Sequence, residues 1–212
     1  MSQNQATNYS NIQFDADVYS DLFENYSVNC TYITEEGLNN FFKVEDYSAV
    51  NMTHINARSL KKNFDKILSL ISNISGTLTA IAISETWLTE SLQDVFFISG
   101  YDFISKQRTE KIGGGVGIYV NSSLNYIVRN DLCRMTNYIE CVFIEIVQDN
   151  DTNIVIGCIY RPPSSDHLCV ETFNSDFSEI LKMIDHGNAK TVLLAGDYNL
   201  DLINTHSATE DF

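Results

Sequence analysis

A short apolar run at residues 191–195 ends at Gly196 and is followed at once by Asp197 and Asn199. The run predicts a buried strand, and the glycine allows the backbone to turn sharply where the strand ends. Strand ends often carry Asp and Asn simply because these residues form turns. A carboxylate and an amide on a rigid strand end are also suited to polarising water or binding a phosphate oxygen. This stretch alone leaves both interpretations open.

Length and charge restrict the kind of protein that can contain this strand. The 212 residues suffice for one large domain, and the formal net charge is -15. The beginning of the chain is polar and acidic, so we predict an N-terminal extension over residues 1–48 and a main domain over residues 49–212. The net charge opposes nonspecific binding to a polyanion, but a bound cation can invert the local field. A basic DNA groove is not predicted, although five residues could contribute to one: Lys61, Lys62, Lys106, Arg108 and Lys111.

Cysteine usage and hydropathy bear on the compartment. The five cysteines are odd in number and include no Cys-x-x-Cys pair, which argues against structural zinc and against a disulfide framework. No stretch has the pattern of a signal peptide or of a bilayer-spanning helix. We therefore expect an intracellular protein, cytoplasmic or nuclear and not secreted, with no membrane partner.

A second strand end carries an asparagine. The extended segment at residues 49–55 leads to Asn56, where the chain passes from a strand into a helix. Ser59 is the predicted N-cap of that helix. The apolar face of the helix is predicted from residues at helical spacing: Leu60, Phe64, Ile67, Leu68, Ile71 and Ile74.

A third strand end carries a glutamate. The continuous apolar run at residues 78–83 suits a strand covered on both faces, and it leads to Glu85. A carboxylate directly after a buried strand is costly to desolvate unless it is paired or coordinates a cation. Glu85 is therefore a candidate site residue, with Arg58 as a candidate structural partner. We interpret Trp87 as a packing residue.

A fourth strand end carries a tyrosine and an arginine. Two strands are predicted at residues 141–147 and 153–159, and the second leads to Tyr160, Arg161 and two prolines. The prolines fix the backbone after the strand, and a phenol and a guanidinium both suit anionic oxygens. The glycines at residues 112–120 precede a strand and lack the Gly-Lys-Ser/Thr ending of a P-loop, so we predict a turn there.

The order of these residues resembles that of a known superfamily. Asn56, Glu85, Tyr160, Asp197 and Asn199 each follow a predicted strand, as in the endonuclease/exonuclease/phosphatase superfamily. More narrowly, HINARSL, SETWL, GGGVGIYV, GCIYRPP and LLAGDYNLDL are similar to the endonuclease domain of non-LTR (LINE-type) retrotransposons, over about residues 51–202. The resemblance implies an α/β fold, α+β in four layers: a two-sheet β-sandwich flanked by helices and incomplete at its C-terminal strands.

The resemblance also implies roles for these residues. Glu85 would be the metal ligand, with Asn56 beside it in the site. Tyr160 would contact the scissile phosphate. Asp197 would orient or deprotonate the attacking water, with Asn199 next to it.

The implied reaction is divalent-metal-dependent hydrolysis of phosphodiesters, in particular DNA nicking of the retrotransposon type. Mg²⁺ is the expected cation, with Mn²⁺ as its substitute, because hard cations prefer carboxylate oxygen. DNA is the expected partner. Arg161 and Arg58 are the expected substrate-binding residues.

One part of the family pattern is not in its expected place. In the family a Ser-Asp-His motif follows the Asp-x-Asn motif by several tens of residues, whereas this chain ends at Phe212. The tripeptide Ser165-Asp166-His167 lies before Asp197, and we interpret it as a chance match. We therefore expect a truncated enzyme that is weak or inactive, with a reverse-transcriptase region encoded downstream as a partner.

Two alternatives remain open. One is a noncatalytic interaction domain, or a relic, that keeps the fold and acts through its acidic extension. The other is a phosphatase or phosphodiesterase of the same superfamily that acts on a lipid or a nucleotide. Three more histidines have no predicted role: His54, His186 and His206. The sequence predicts no oligomeric state.

Overall fold

In a computed structural model, the described part of the chain forms two sheets. Their strands carry alternating side chains, and several end at polar residues. The structure describes residues 50–74, 76–109, 113–149, 152–164, 166–185 and 191–200. The predicted extension at residues 1–48 lies outside these residues, as do Lys111, Ser165, His186 and His206. No helix in the described part of the chain is long and apolar enough to cross a membrane.

The first sheet has four strands in the order β1-β2-β4-β3. They are β1 (Met52–Asn56), β2 (Ala80–Ser84), β3 (Tyr101–Lys106) and β4 (Val116–Asn121). Strands β1 and β2 are parallel, and β4 runs antiparallel to both of its neighbours. The C-terminal ends of β1 and β2 therefore meet at one edge of the sheet, together with the start of β4.

The second sheet has five strands among the described residues. They are β5 (Tyr126–Val128), β6 (Arg134–Met135), β7 (Glu140–Ile146), β8 (Ile154–Tyr160) and β9 (Thr191–Asp197). The order is β5-β7-β8-β9, with β6 also paired to β7. Because β8 and β9 are parallel, their C-terminal ends lie side by side, and the antiparallel β7 begins there.

In the described residues, two α-helices cover the outer faces of the sheets. Helix α1 (Leu60–Ser72) packs on the first sheet through Leu60 and Ile67, and helix α2 (His167–Asp185) packs on the second through Phe173 and Ile180. A short 3-10 helix spans Glu90–Val95. The result is the predicted α/β arrangement in four layers, helix, sheet, sheet and helix.

The interior of the sandwich is built by the period-two alternation of strand side chains. In β2, alanines point into the sandwich and isoleucines point towards α1, so each face of the strand is buried. The largest core joins both sheets: Ala80, Ala82, Val116, Ile118, Val120, Val142, Ile144, Ile146, Ile154, Ile156, Cys158 and Tyr160. This register determines which side chains face inward where the strands end.

Three local expectations need correction. The strand at residues 191–195 was expected to be buried, but β9 is the outermost described strand of its sheet, and Val192 is 39% exposed. Ser59 occupies the N-cap position of α1, yet its side chain makes no capping hydrogen bond, because its φ of 88° is not a normal capping geometry. Trp87 is 36% exposed and does not pack into the core.

Candidate active site

The predicted site residues converge because their strands end at one common edge. Asn56 is paired with Ser84 across β1 and β2, and Tyr160 is paired with Asp197 across β8 and β9. The inward alternation of β8 and β9 carries Tyr160 and Asp197 to the gap between the sheets. Residues distant in sequence are thus brought together by strand register within each sheet and by the packing of one sheet on the other.

Asn56 forms the centre of this edge. Its Nδ2 donates to Glu85 Oε1 at 2.9 Å and to Asp197 Oδ2 at 2.7 Å. Its Oδ1 accepts a hydrogen bond from the Arg58 backbone N–H at 3.1 Å. Both amide hydrogens are therefore committed, one to each carboxylate, which lets two negative charges lie close together.

Glu85 is held by a tightly bonded loop after β2. Its φ is 52°, which is uncommon for a residue other than glycine. Its carbonyl accepts from the Ser59 N–H at 2.9 Å, and the Thr86 carbonyl accepts from the Leu60 N–H at 2.9 Å. Because Asn56 reaches only Oε1, no hydrogen bond from the described residues reaches Glu85 Oε2. The lone pairs of that oxygen are therefore available to coordinate a cation at the site.

The loop after β9 is fixed by reciprocal bonds with Arg161. The Asn199 side chain donates to the Arg161 carbonyl at 2.8 Å, and the Arg161 N–H donates to the Asp197 carbonyl at 3.0 Å. The Arg161 guanidinium is buried and donates to the carbonyls of Tyr198 and Asn199. Contact of Arg161 with a substrate stays a prediction, since the contacts seen here are with the loop that carries Asn199.

Tyr160 presents a protonated phenol to the site. The ring is 5% exposed, and burial together with the negative charges of Glu85, Glu140 and Asp197 raises the Tyr160 pKa to about 12. Within the described residues its hydroxyl has no hydrogen-bond partner, and it is not among the fully buried unpaired atoms, so it keeps access to solvent. A neutral hydroxyl of this kind donates a hydrogen bond and does not act as a base at neutral pH.

A buried ion pair next to the site was missed by the sequence analysis. Glu140, at the start of β7, is fully buried and accepts hydrogen bonds from Arg108 and from the Gly115 N–H. Gly115 has a φ of 83°, and a Cβ there would lie 2.5 Å from Thr86 Oγ1. The pair therefore supports the glycine turn against which the Glu85 loop packs. In the sequence, the signal for this ion pair was a carboxylate, Glu140, directly before an apolar run.

The other charged candidates are placed as follows. Arg58 is exposed, has a φ of 41°, and forms no ion pair with Glu85. Asp166 accepts a hydrogen bond from the Leu168 N–H at 3.1 Å at the start of α2, and His167 pairs with Glu171 at 3.2 Å. These contacts give the described part of the tripeptide a structural role in the helix.

His54 lies beneath the site on β1. Its Nε2 is 3.0 Å from Ser84 Oγ. Burial lowers the His54 pKa, and the negative charge of Asp197 only partly opposes this. The imidazole is therefore favoured in its neutral form at neutral pH.

Unusual backbone geometry is concentrated at this edge. Among the described residues other than glycine, positive φ values occur at five positions, all in loops after β1, β2 and β9: Arg58, Ser59, Glu85, Trp87 and Asn199. Such conformations cost energy and persist where the surrounding structure holds them, as they do at many functional sites.

Three solved structures have a fold similar to that of this chain. One is the AP endonuclease LMAP from Leishmania major, with a TM-score of 0.59 and 16% identity over 87% of this chain and 62% of that chain. A second is the human nocturnin catalytic domain, with a TM-score of 0.55 and 14% identity over 76% of this chain and 67% of that chain. A third is truncated Caenorhabditis elegans TDP2, with a TM-score of 0.51 and 14% identity over 77% of this chain and 64% of that chain.

These matches have defined limits. At such identities the likeness shows the fold alone. The chain spans about two thirds of the length of these solved chains, or slightly less. No protein-family model matches the sequence, and no curated protein matches it.

Proposed function

We propose that this chain is a divalent-metal-dependent phosphodiesterase that nicks DNA, an endonuclease of the LINE retrotransposon type. The observation that supports this most is the Asn56 amide that bridges Glu85 and Asp197. These two carboxylates provide a ligand for a hard cation and an acceptor for water, and the neutral phenol of Tyr160 beside them provides a hydrogen-bond donor for phosphate. One solved protein of this fold is an AP endonuclease.

The donor atoms fit a weakly chelated hard cation. Within the described residues, no group of three His, Cys, Asp or Glu side chains is placed to hold a metal. Mg²⁺ retains several waters and needs only one or two carboxylates together with substrate phosphates, and Mn²⁺ suits the same oxygen donors. Glu85, with its free Oε2, would be the protein ligand. When bound, the cation would supply positive charge to the phosphate.

The remaining residues position water and phosphate. Asp197 is oriented at both oxygens, since Oδ2 accepts from Asn56 and Oδ1 accepts from the Asn199 N–H at 3.1 Å. It would hold the attacking water and accept its proton. The Tyr160 hydroxyl would donate a hydrogen bond to a non-bridging phosphate oxygen. Arg58 would bind the DNA backbone, while Arg161 would position the Asn199 loop.

Nicking of supercoiled plasmid by the full chain with Mg²⁺ tests this function. We expect wild type to nick weakly, and Glu85→Gln and Asp197→Asn to lose this activity while keeping a cooperative thermal transition. Asn153→Ala is the matched control, because Asn153 donates to Glu145 at 2.8 Å at the opposite end of the second sheet. Absence of nicking by a well-folded wild type would contradict the proposal and favour the noncatalytic alternative.

The same proteins also test the alternative that the chain is a phosphatase or phosphodiesterase acting on a lipid or a nucleotide. Release of phosphate from a phosphoinositide or a nucleotide by wild type, without plasmid nicking, would assign the substrate to that class. The proposed partner, a reverse-transcriptase region encoded downstream, is tested by reading the genomic frame beyond Phe212. An intracellular location and an extension over residues 1–48 belong to the same proposal.

A further inference from the structure

Trp87 is the single tryptophan of the chain, and it is exposed next to the candidate site. Its side chain is 36% exposed, two residues after Glu85. Its φ is 52°, and its N–H is held by the Gly114 carbonyl at 2.9 Å. The backbone is thus anchored while part of the residue faces solvent.

One exposed cation lies over this indole. Lys62 Nζ lies 5.9 Å from the centroid of the Trp87 ring. Lys61 and Arg58 are also exposed, and both lie close to Lys62 in the sequence. None of the three cations forms an ion pair within the described residues. We call Arg58, Lys61, Lys62 and Trp87 the Trp87 rim.

Helix stability does not explain the lysines. They lie in the first turn of α1, which contains no acidic residue, and cations are unfavourable at the positive end of a helix. Asp65, one turn further, forms no ion pair with Lys61 or Lys62 among the described residues. In a chain with a net charge of -15, this local positive charge favours an anionic ligand at one place.

We infer that the Trp87 rim binds a single-stranded segment of DNA beside the scissile phosphate. An unpaired base stacks on the indole in place of the Lys62 ammonium, which then binds a flanking phosphate together with Arg58. An aromatic face accepts any base, while cations follow the backbone, so the rim selects for strand separation and not for sequence. This inference rests on the proposed function, since it assigns the strand that the nuclease site would receive.

The test uses the full chain in EDTA, so that binding is measured without cleavage. The probe is a 12-nucleotide single-stranded DNA, followed by emission of the single tryptophan and, with a 5′ fluorescein label, by anisotropy. We expect saturable quenching of Trp87 and weaker binding of a blunt duplex of the same sequence. Trp87→Ala should weaken single-strand binding by roughly 5- to 100-fold, whereas Trp87→Phe should retain most of the affinity.

Charge variants provide a second readout. Lys62→Gln should reduce the slope of log affinity against log salt by roughly 0.7, the loss of one phosphate contact to a single strand. Two matched controls should bind as wild type. Phe97→Ala removes an aromatic ring that is 69% exposed before the start of β3, at the opposite edge of the first sheet. Lys182→Gln removes a cation in the last turn of α2, on the other helical layer.

The outcomes separate this inference from the proposed function. Wild-type affinity in both Trp87 variants, or binding without quenching, would overturn the role of the rim. If plasmid nicking with Mg²⁺ persists in that case, the nuclease function stands without it. Saturable quenching by a chain that does not nick would support the rim as a DNA-binding surface and reject the nuclease.

Discussion

Asn56 Nδ2 donates a 2.7 Å hydrogen bond to Asp197 Oδ2, although 141 residues separate them in the chain. The bond joins the first strand of one sheet to an outer strand of the other, so it depends on the packing of the whole sandwich. The same nitrogen donates to Glu85. A single amide thereby holds together the two carboxylates on which the proposed chemistry depends.

Removal of this amide should affect activity much more than folding. Asn56→Ala leaves Glu85 and Asp197 to repel each other without an intervening donor, and we expect nicking to fall by about 10²-fold or more. Single-turnover plasmid nicking, with urea unfolding in parallel, checks this. Asn153→Ala removes a comparable amide-to-carboxylate bond and should leave nicking unchanged. Equal loss of rate in both variants would indicate a general structural effect.

Loss of the Tyr160 hydroxyl should give a rate defect that does not change with pH. Tyr160→Phe removes one donor to the phosphate, which is expected to cost roughly 10²-fold in rate. Because the Tyr160 pKa is about 12, the hydroxyl stays protonated between pH 6 and 9, and the ratio of wild-type to variant rates should be constant there. Tyr126→Phe, at the far end of the second sheet, is the control. A ratio that rises with pH would indicate a tyrosinate.

Arg161 should be required to hold the Asn199 loop. Lysine has one nitrogen and cannot replace a guanidinium that donates to both Tyr198 and Asn199, so Arg161→Lys leaves a buried carbonyl without its donor. We expect a loss of about 1–3 kcal/mol in the free energy of unfolding, measured in urea, and slower nicking. Arg129→Lys disturbs an ion pair with Glu145 away from the site and should not slow nicking. Unchanged stability of Arg161→Lys would contradict the anchoring role.

Gly196 should tolerate no side chain. A Cβ there would overlap the Ile159 carbonyl oxygen, which is backbone and cannot move without breaking the pairing of β8 with β9. Gly196→Ala should therefore lower the free energy of unfolding by more than about 2 kcal/mol and displace the neighbouring Asp197. Gly100→Ala is the comparison, because a Cβ there meets nothing within 4 Å and only its φ of 83° adds strain, at a cost of about 1 kcal/mol. Thermal denaturation of both variants measures the difference.

Stability should fall in alkaline solution, partly through Cys158. Burial raises the Cys158 pKa from 9.0 to about 12, so the folded state binds a proton that the unfolded state releases between these values. The contribution is complete below pH 9 and is lost as the pH rises towards 12, at about 1.4 kcal/mol per pH unit for one proton. Cys158→Ala should show a shallower decline of the unfolding free energy, measured in urea from pH 8 to 10.5. Parallel curves would show that this thiol does not titrate differently on folding.

Much of the fold could be predicted because its signals are local. The apolar runs that form β2, β8 and β9 can be recognised in the sequence, and so can the polar residues that follow them. The exposure of β9 could not be predicted, because an apolar run has the same appearance in a central strand and in an outer one. The outward position of Trp87 was missed for a related reason: its φ of 52° depends on bonds to the glycine turn.

Hydrophobic periodicity and the turn preferences of Gly, Pro and Asn act over a few residues, so the residues that stand at strand ends could be predicted from the sequence. Tertiary structure alone decided what those residues contact. The Asn56 bridge, the Arg108–Glu140 pair and the bonds of Arg161 to the loop after β9 each join segments that are distant in the chain. Such contacts are set by strand register and by the stacking of two sheets, in which a shift of one residue reverses every side chain.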